Sequence, residues 1–198
     1  MDFKVLAVLV FFSLGPIACD DDELTEAHAQ YVFGAMGKAK SPLPPLDCDL
    51  ELGYCVDPTS GFTWQVTPTG GEMDLSTAKE HCQALDLEGG GWRLPTIGEL
   101  RTLVRGCPAT ADGGSCNVEE GKCLSYSCKN YSCRKCPMWG GPADGCYWPD
   151  EMEGECLWYW SSTLEGNSND DAWFILFANG EVSHYHDLQY DEYVRCVR

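Results

Sequence analysis

The chain contains no unbroken apolar run of about 20 residues, the length that spans a bilayer. Its longest apolar stretch, Val5 to Ile17, is interrupted by Ser13, Gly15 and Pro16. Basic residues are scarce: 13 Lys and Arg against 31 Asp and Glu give a formal net charge of −18. A surface this acidic repels nucleic acid and other polyanions, so no nucleic-acid partner is expected. No Gly-x-Ser-x-Gly elbow is present. The four histidines, His28, His81, His184 and His186, lack metalloprotease spacing. Internal repeats are missing too, and so is any collagen-like Gly-X-Y run. These absences assign no catalytic residue, and the chain is not expected to be an enzyme.

Cysteine is abundant, with 13 in 198 residues. The first, Cys19, has a context of its own. Met1-Asp2-Phe3-Lys4 and the apolar run behind it read as a secretory signal over residues 1–18. Pro16-Ile17-Ala18-Cys19 resembles the lipobox at which bacterial lipoprotein signals are cut and the cysteine acylated, with Pro16 standing where Leu is usual. Cys19 is therefore the expected lipidation site; ordinary cleavage after Ala18 is the alternative. Of the 13 cysteines, 12 remain once Cys19 is set aside, an even number that six bridges would use up in an oxidising compartment. The expected location is the bacterial cell envelope, extracytoplasmic, with the membrane as partner through the lipid anchor.

Residues 19–47 read as an acidic, proline-containing tether. Asp20-Asp21-Asp22-Glu23 opens it, Ala27 to Met36 is a candidate short helix, and Ser41-Pro42-Leu43-Pro44-Pro45 is polyproline-like. The folded part is expected over 48–198. Gly61 to Val66 alternates as a strand. Leu75, Ala78, Cys82 and Leu85 fall at helical spacing behind a capping Asp74, predicting a helix over 75–86. Thr96 and Glu99 form a capping-box pattern for a second helix with Ile97, Leu100, Leu103 and Val104 as its stripe. Residues 107–156 hold eight of the cysteines among Gly, Ser and Pro, and read as a loop-rich insertion lacking apolar residues for its own core. Strands are predicted at 157–162, at 172–177, after an Asn179-Gly180 turn at 181–183, and at 193–197. Two helices followed by short antiparallel strands define an α+β fold.

The ordered series Gly61-Phe62-Thr63-Trp64-Gln65, Ala78 with His81-Cys82, Trp92-Arg93-Leu94-Pro95-Thr96 with Glu99-Leu100, Tyr159-Trp160-Ser161-Ser162-Thr163, Ala172-Trp173-Phe174 and Val194-Arg195-Cys196-Val197-Arg198 resembles the Lcl C-terminal domain family. Arg93-Leu94-Pro95-Thr96 and the closing Arg-Cys-Val-Arg also look like the formylglycine-generating enzyme group. Both resemblances imply a C-type-lectin-like fold, in which a cysteine on the first helix pairs with one on the last strand. That implies a Cys82–Cys196 disulfide. The family's namesake is a collagen-like surface adhesin that binds sulfated polysaccharide; this chain departs from it in its charge and in having no collagen-like region.

Several groups are candidates for a ligand surface. Tyr147, Trp148, Trp158 and Tyr159 are candidate stacking faces for a sugar. Asn167, Asn169, Asp170 and Asp171 lie between two strands and offer oxygen ligands suited to calcium, or simply make a loop. No other cofactor is expected. Cys123, Cys128, Cys133 and Cys136 include one zinc-like Cys-x-x-Cys, but disulfides fit the compartment better. Lys129, Arg134 and Lys135 are a small basic cluster, read as solvated charge. Trp92, Trp160 and Trp173 are assigned to the core, with Arg93 paired to Glu99 or a backbone carbonyl. The function expected is an anchored recognition module for a glycan or a cell-surface ligand. A protein-interaction or envelope-structural role is the alternative, and an oxidase of the formylglycine-generating type the remote one.

Overall fold

The structure is a computed structural model that describes residues 43–166, 168–185 and 188–198. The signal and lipidation assignments and the candidate helix from Ala27 to Met36 lie outside these residues. Leu43–Arg198 form one compact unit. It has its own core and six internal disulfides, which is what independent folding requires.

Two small antiparallel sheets and two helices make up the α+β unit. Strands β1 (Asp47–Asp49), β2 (Tyr54–Val56) and β3 (Thr63–Gln65) form the first sheet in that order. The β1–β2 hairpin was not legible in sequence, because each strand has three residues and little alternation to read. Cys48 and Cys55 are direct cross-strand partners in it and are disulfide-bonded. Leu46, just ahead of β1, is buried in the core.

Helix α1 (Leu75–Ala84) starts where Asp74 accepts the Thr77 N–H at 2.8 Å. It buries Leu75, Ala78 and Cys82. Helix α2 (Ile97–Thr102) opens with the expected reciprocal box: Glu99 N–H donates to Thr96 Oγ1, and Thr96 N–H to Glu99 Oε2 at 2.8 Å. The Arg93 guanidinium completes it with two bonds to the same carboxylate, at 2.5 and 2.7 Å. Burial would raise the Glu99 pKa, but these donors outweigh it and hold the carboxyl below its ordinary value.

The second sheet is β4 (Trp158–Leu164), β5 (Ala172–Leu176) and β6 (Glu181–Tyr185), paired in chain order, with a register shift in β4 between Trp160 and Leu164. Every β5 side chain is buried, as expected for a central strand covered on both faces. Trp160 and Phe174 face the cluster under α1, while Trp173 and Ile175 face the cluster under α2.

The expected last strand, 193–197, is not a regular strand. It makes isolated bridges, Val197 to both Trp64 and Arg93 and Tyr193 to Tyr159. The segment threads between the two sheets and changes partner every few residues, so its alternation is real while no ladder persists. Cys196 in this segment is bonded to Cys82 of α1, S–S 2.04 Å, the pair that the family resemblance put together.

Residues 107–156 form no separate core of their own among the described residues but contribute to the main one. Val118, Tyr147, Trp148 and Met152 join the main core together with six cysteines of the segment. The insertion borrows the core of the sheet it lies on instead of needing one of its own. Buried Arg101 of α2 gathers its first half, donating to Thr110 O and Ala111 O at 2.9 Å and to Val118 O. Six disulfides match an oxidising compartment outside the cytoplasm. Among the described residues, no helix is long and apolar enough to cross a membrane.

Candidate functional site

Three of the four predicted stacking faces are unavailable. Tyr147, Trp148 and Tyr159 are buried at 1%, 2% and 0% exposure. The cause is local: Tyr147 N–H donates to Phe177 O at 2.8 Å, which draws the 146–149 segment onto β5. Trp148 then packs against Tyr159 and Phe177 at 5.7 and 5.2 Å. Burial pushes the Tyr159 hydroxyl up to about 12, against the opposing pull of the Arg195 guanidinium. Trp158 is partly buried against Phe174, ring centroids 4.7 Å apart. These residues are core, and a sugar cannot reach the first three.

Exposed aromatics lie elsewhere, Tyr126, Tyr131 and Trp139 in the insertion and Tyr190 beyond β6. Tyr126 and Tyr131 are 68% and 83% exposed. Tyr126 is held against the loop that follows β4. Its N–H donates to Glu165 Oε1 at 2.6 Å, and the neighbouring Leu124 O accepts from Gly166 N–H at 2.9 Å and from Trp173 Nε1 at 3.0 Å. The His184 ring, on β6, meets Tyr126 at 5.2 Å and Trp173 at 4.9 Å. One core tryptophan thus anchors both the insertion and the histidine beneath its exposed tyrosine.

This junction brings the insertion to the expected Asn/Asp loop. Asn169 and Asp170 are exposed, and Asp170 N–H donates to Ser168 Oγ at 3.0 Å. Asp171 is buried, its main-chain O accepting Glu165 N–H at 2.9 Å. Asn167 lies outside the described residues. Among the described residues there is no group of three His, Cys, Asp or Glu placed to hold a metal. The zinc-like cysteines are all in disulfides: Cys123–Cys128, Cys116–Cys133 and Cys107–Cys136. Of the basic cluster, Lys129 and Arg134 both reach Glu181, at 3.2 and 3.6 Å. His81 of α1 meets Thr69 Oγ1 at 3.0 Å, and His186 lies outside the described residues.

Tyr126 had no sequence signal that set it apart from Tyr147, since both sit in a glycine- and cysteine-rich stretch with no periodicity. The useful signal is indirect. Trp173 is a core position on a strand whose indole N–H needs an acceptor, and Leu124 O of the insertion supplies it at 3.0 Å.

The site belongs to a disulfide-stapled α+β domain with an aromatic residue exposed beside a polar loop. The Lcl C-terminal domain family model matches residues 53–198, and the chain belongs to that family. No curated protein matches the chain.

Proposed function

We propose that this protein is a lipid-anchored recognition module on the extracytoplasmic side of the bacterial envelope, C-type-lectin-like in fold, that binds a carbohydrate or cell-surface ligand and catalyses no reaction. The observation that carries this reading is Tyr126, largely exposed and fixed beside the Asn169–Asp170 loop. A sugar ring offers an apolar C–H face and a rim of hydroxyls. An exposed aromatic answers the first, and amide and carboxylate oxygens answer the second. Tyr126 brings two rotatable angles and a backbone already fixed, so little entropy is lost when a ring settles on it.

The lipid anchor at Cys19 rests on the lipobox-like sequence. The family match and the Cys82–Cys196 bridge support the lectin-like fold. All twelve cysteines from Cys48 to Cys196 are in disulfides, which leaves no thiol pair of the kind the formylglycine-generating group uses.

The test is binding of oxidised 43–198 to a broad glycan array, with calcium and again with chelator. Binding that Tyr126→Ala abolishes is expected; loss in chelator would add calcium at the Asn/Asp loop to the site. Absence of binding to every glycan in both conditions contradicts the reading.

A further inference from the structure

Charge is not spread evenly along this acidic chain. From Gly121 to Ala143 there is no Asp or Glu, yet the stretch holds Lys122, Lys129, Arg134 and Lys135 out of 13 basic residues in all. It also carries Met138 and Trp139, which are 56% and 59% exposed. Trp139 has a φ of 58°, a left-handed conformation that is unfavourable for a bulky L-residue and persists only where its surroundings fix it. They do so here. Trp139 N–H donates to Ala178 O at 2.6 Å, Tyr147 Oη donates to Pro137 O at 2.9 Å, and Gly141 N–H to Gly145 O at 3.0 Å. Disulfides Cys107–Cys136 and Cys146–Cys156 close the segment on either side.

The basic and apolar groups share one end of the molecule. Arg134 Nε lies 3.6 Å from Glu181 Oε2, and Trp139 is bonded to Ala178, so both border the β5–β6 turn. The Cys107 sulfur, bonded to Cys136, would lie 3.3 Å from a Cβ on Gly180 in that turn. The Arg134 side chain remains 68% exposed despite its ion pair.

We infer that the Met138–Trp139 tip, with Arg134 and Lys135 behind it, docks on an anionic phospholipid bilayer. Tryptophan is the side chain that settles at the boundary of headgroups and acyl chains, with an apolar body and one N–H for the wet side. Lysine and arginine beside it gain from the negative surface potential of the leaflet. A rigid tip inserts without paying to order itself. Charge complementarity selects this occupant: Lys129 and Arg134 share the single carboxylate of Glu181 and Lys135 is exposed beside them, so this end carries a local positive excess in a chain that is otherwise strongly anionic. The inference is independent of the glycan reading and of the Cys19 anchor, because it concerns residues of 43–198 alone.

The test is co-sedimentation of oxidised 43–198, which carries no acyl chain, with vesicles of phosphatidylcholine and of phosphatidylcholine mixed with phosphatidylglycerol. Binding to the mixed vesicles should be roughly tenfold or more tighter than to the neutral ones and should weaken at high salt. Trp139→Gly and the pair Arg134→Ser with Lys135→Ser should each weaken it, with thermal unfolding unchanged or raised. Brominated lipid should quench part of the wild-type tryptophan fluorescence, a readout that needs no variant. Failure to sediment with mixed vesicles, as for a tip that serves a protein partner, overturns the inference. Sedimentation that Trp139→Gly leaves unaltered, without quenching, overturns it as well.

Discussion

Arg195 is fully buried, and its guanidinium is the joint between the two sheets and the insertion. It donates to Gln65 O at 2.8 Å, Val66 O and Glu153 O, and it lies 5.0 Å over Trp148 and 5.5 Å over Tyr159. A planar fork of donors that also stacks on aromatics is specific to arginine; lysine would keep the charge and lose the geometry. Trp139 is the opposite case, a residue whose environment holds it in a conformation it disfavours. The left-handed conformation costs an ordinary residue about 1–2 kcal/mol, and glycine loses about 0.5–1 kcal/mol of that gain through chain entropy. Trp139→Gly is therefore expected to leave stability equal or up to about 1.5 kcal/mol higher in urea unfolding. A loss of stability would mean that the indole is packed and not presented. The two residues also differ in how well sequence exposes them. Arg195 is marked in the sequence only as part of the closing Val194-Arg195-Cys196-Val197-Arg198 motif. Trp139 follows a Cys-Pro-Met stretch with no periodicity, so nothing in the sequence separates it from the buried Trp148 nine residues on.

At the scale of elements, the helices and the second sheet were legible because they carry period and caps: Asp74 and Thr96 start α1 and α2 where expected, and Asn179-Gly180 turns β5 into β6. The β1–β2 hairpin and the broken final segment were not, since three-residue strands and single bridges have no period to find. One of those bridges carries a pH dependence. Glu192 exchanges two backbone hydrogen bonds of 3.0 Å with Met73, and its carboxyl is raised to about 7, first by burial and then by Glu72 and Asp191. A carboxyl raised above its unfolded value binds its proton more tightly in the folded state. Its contribution to stability is therefore complete below about pH 4.5 and is lost as pH rises through about 7. Glu192→Gln, which keeps the neutral shape, should match the wild type near pH 4 and exceed it at pH 8 by on the order of 2 kcal/mol, measured by urea unfolding. Parallel stability curves for the two proteins would show that Glu192 is solvated.

For the whole molecule, disulfides and a shared core divide the work. Cys82–Cys196 closes 114 residues, and Cys123–Cys128 closes 5. Loop-closure entropy gives the long bridge about 5 kcal/mol and the short one about 2 kcal/mol. Replacing Cys82 and Cys196 with alanine should thus cost at least twice as much stability as replacing Cys123 and Cys128; equal costs would mean that the unfolded chain is already compact. The even cysteine count was readable from sequence, whereas the surface was not, because exposure of an aromatic depends on which strand its loop lies against. Tyr126 is outside because Trp173 and Glu165 hold Leu124–Tyr126 at the rim, and Tyr147 is inside because Phe177 holds it down. The central claim rests on that distinction. The most direct measurement is a parallel glycan-binding comparison of wild-type 43–198, Tyr126→Ala and Tyr131→Ala. The account predicts that the wild type binds, that Tyr126→Ala loses about tenfold or more, as stacked interface aromatics do, and that Tyr131→Ala changes little. Equal binding by wild type and Tyr126→Ala, or binding by none of the three, would contradict it.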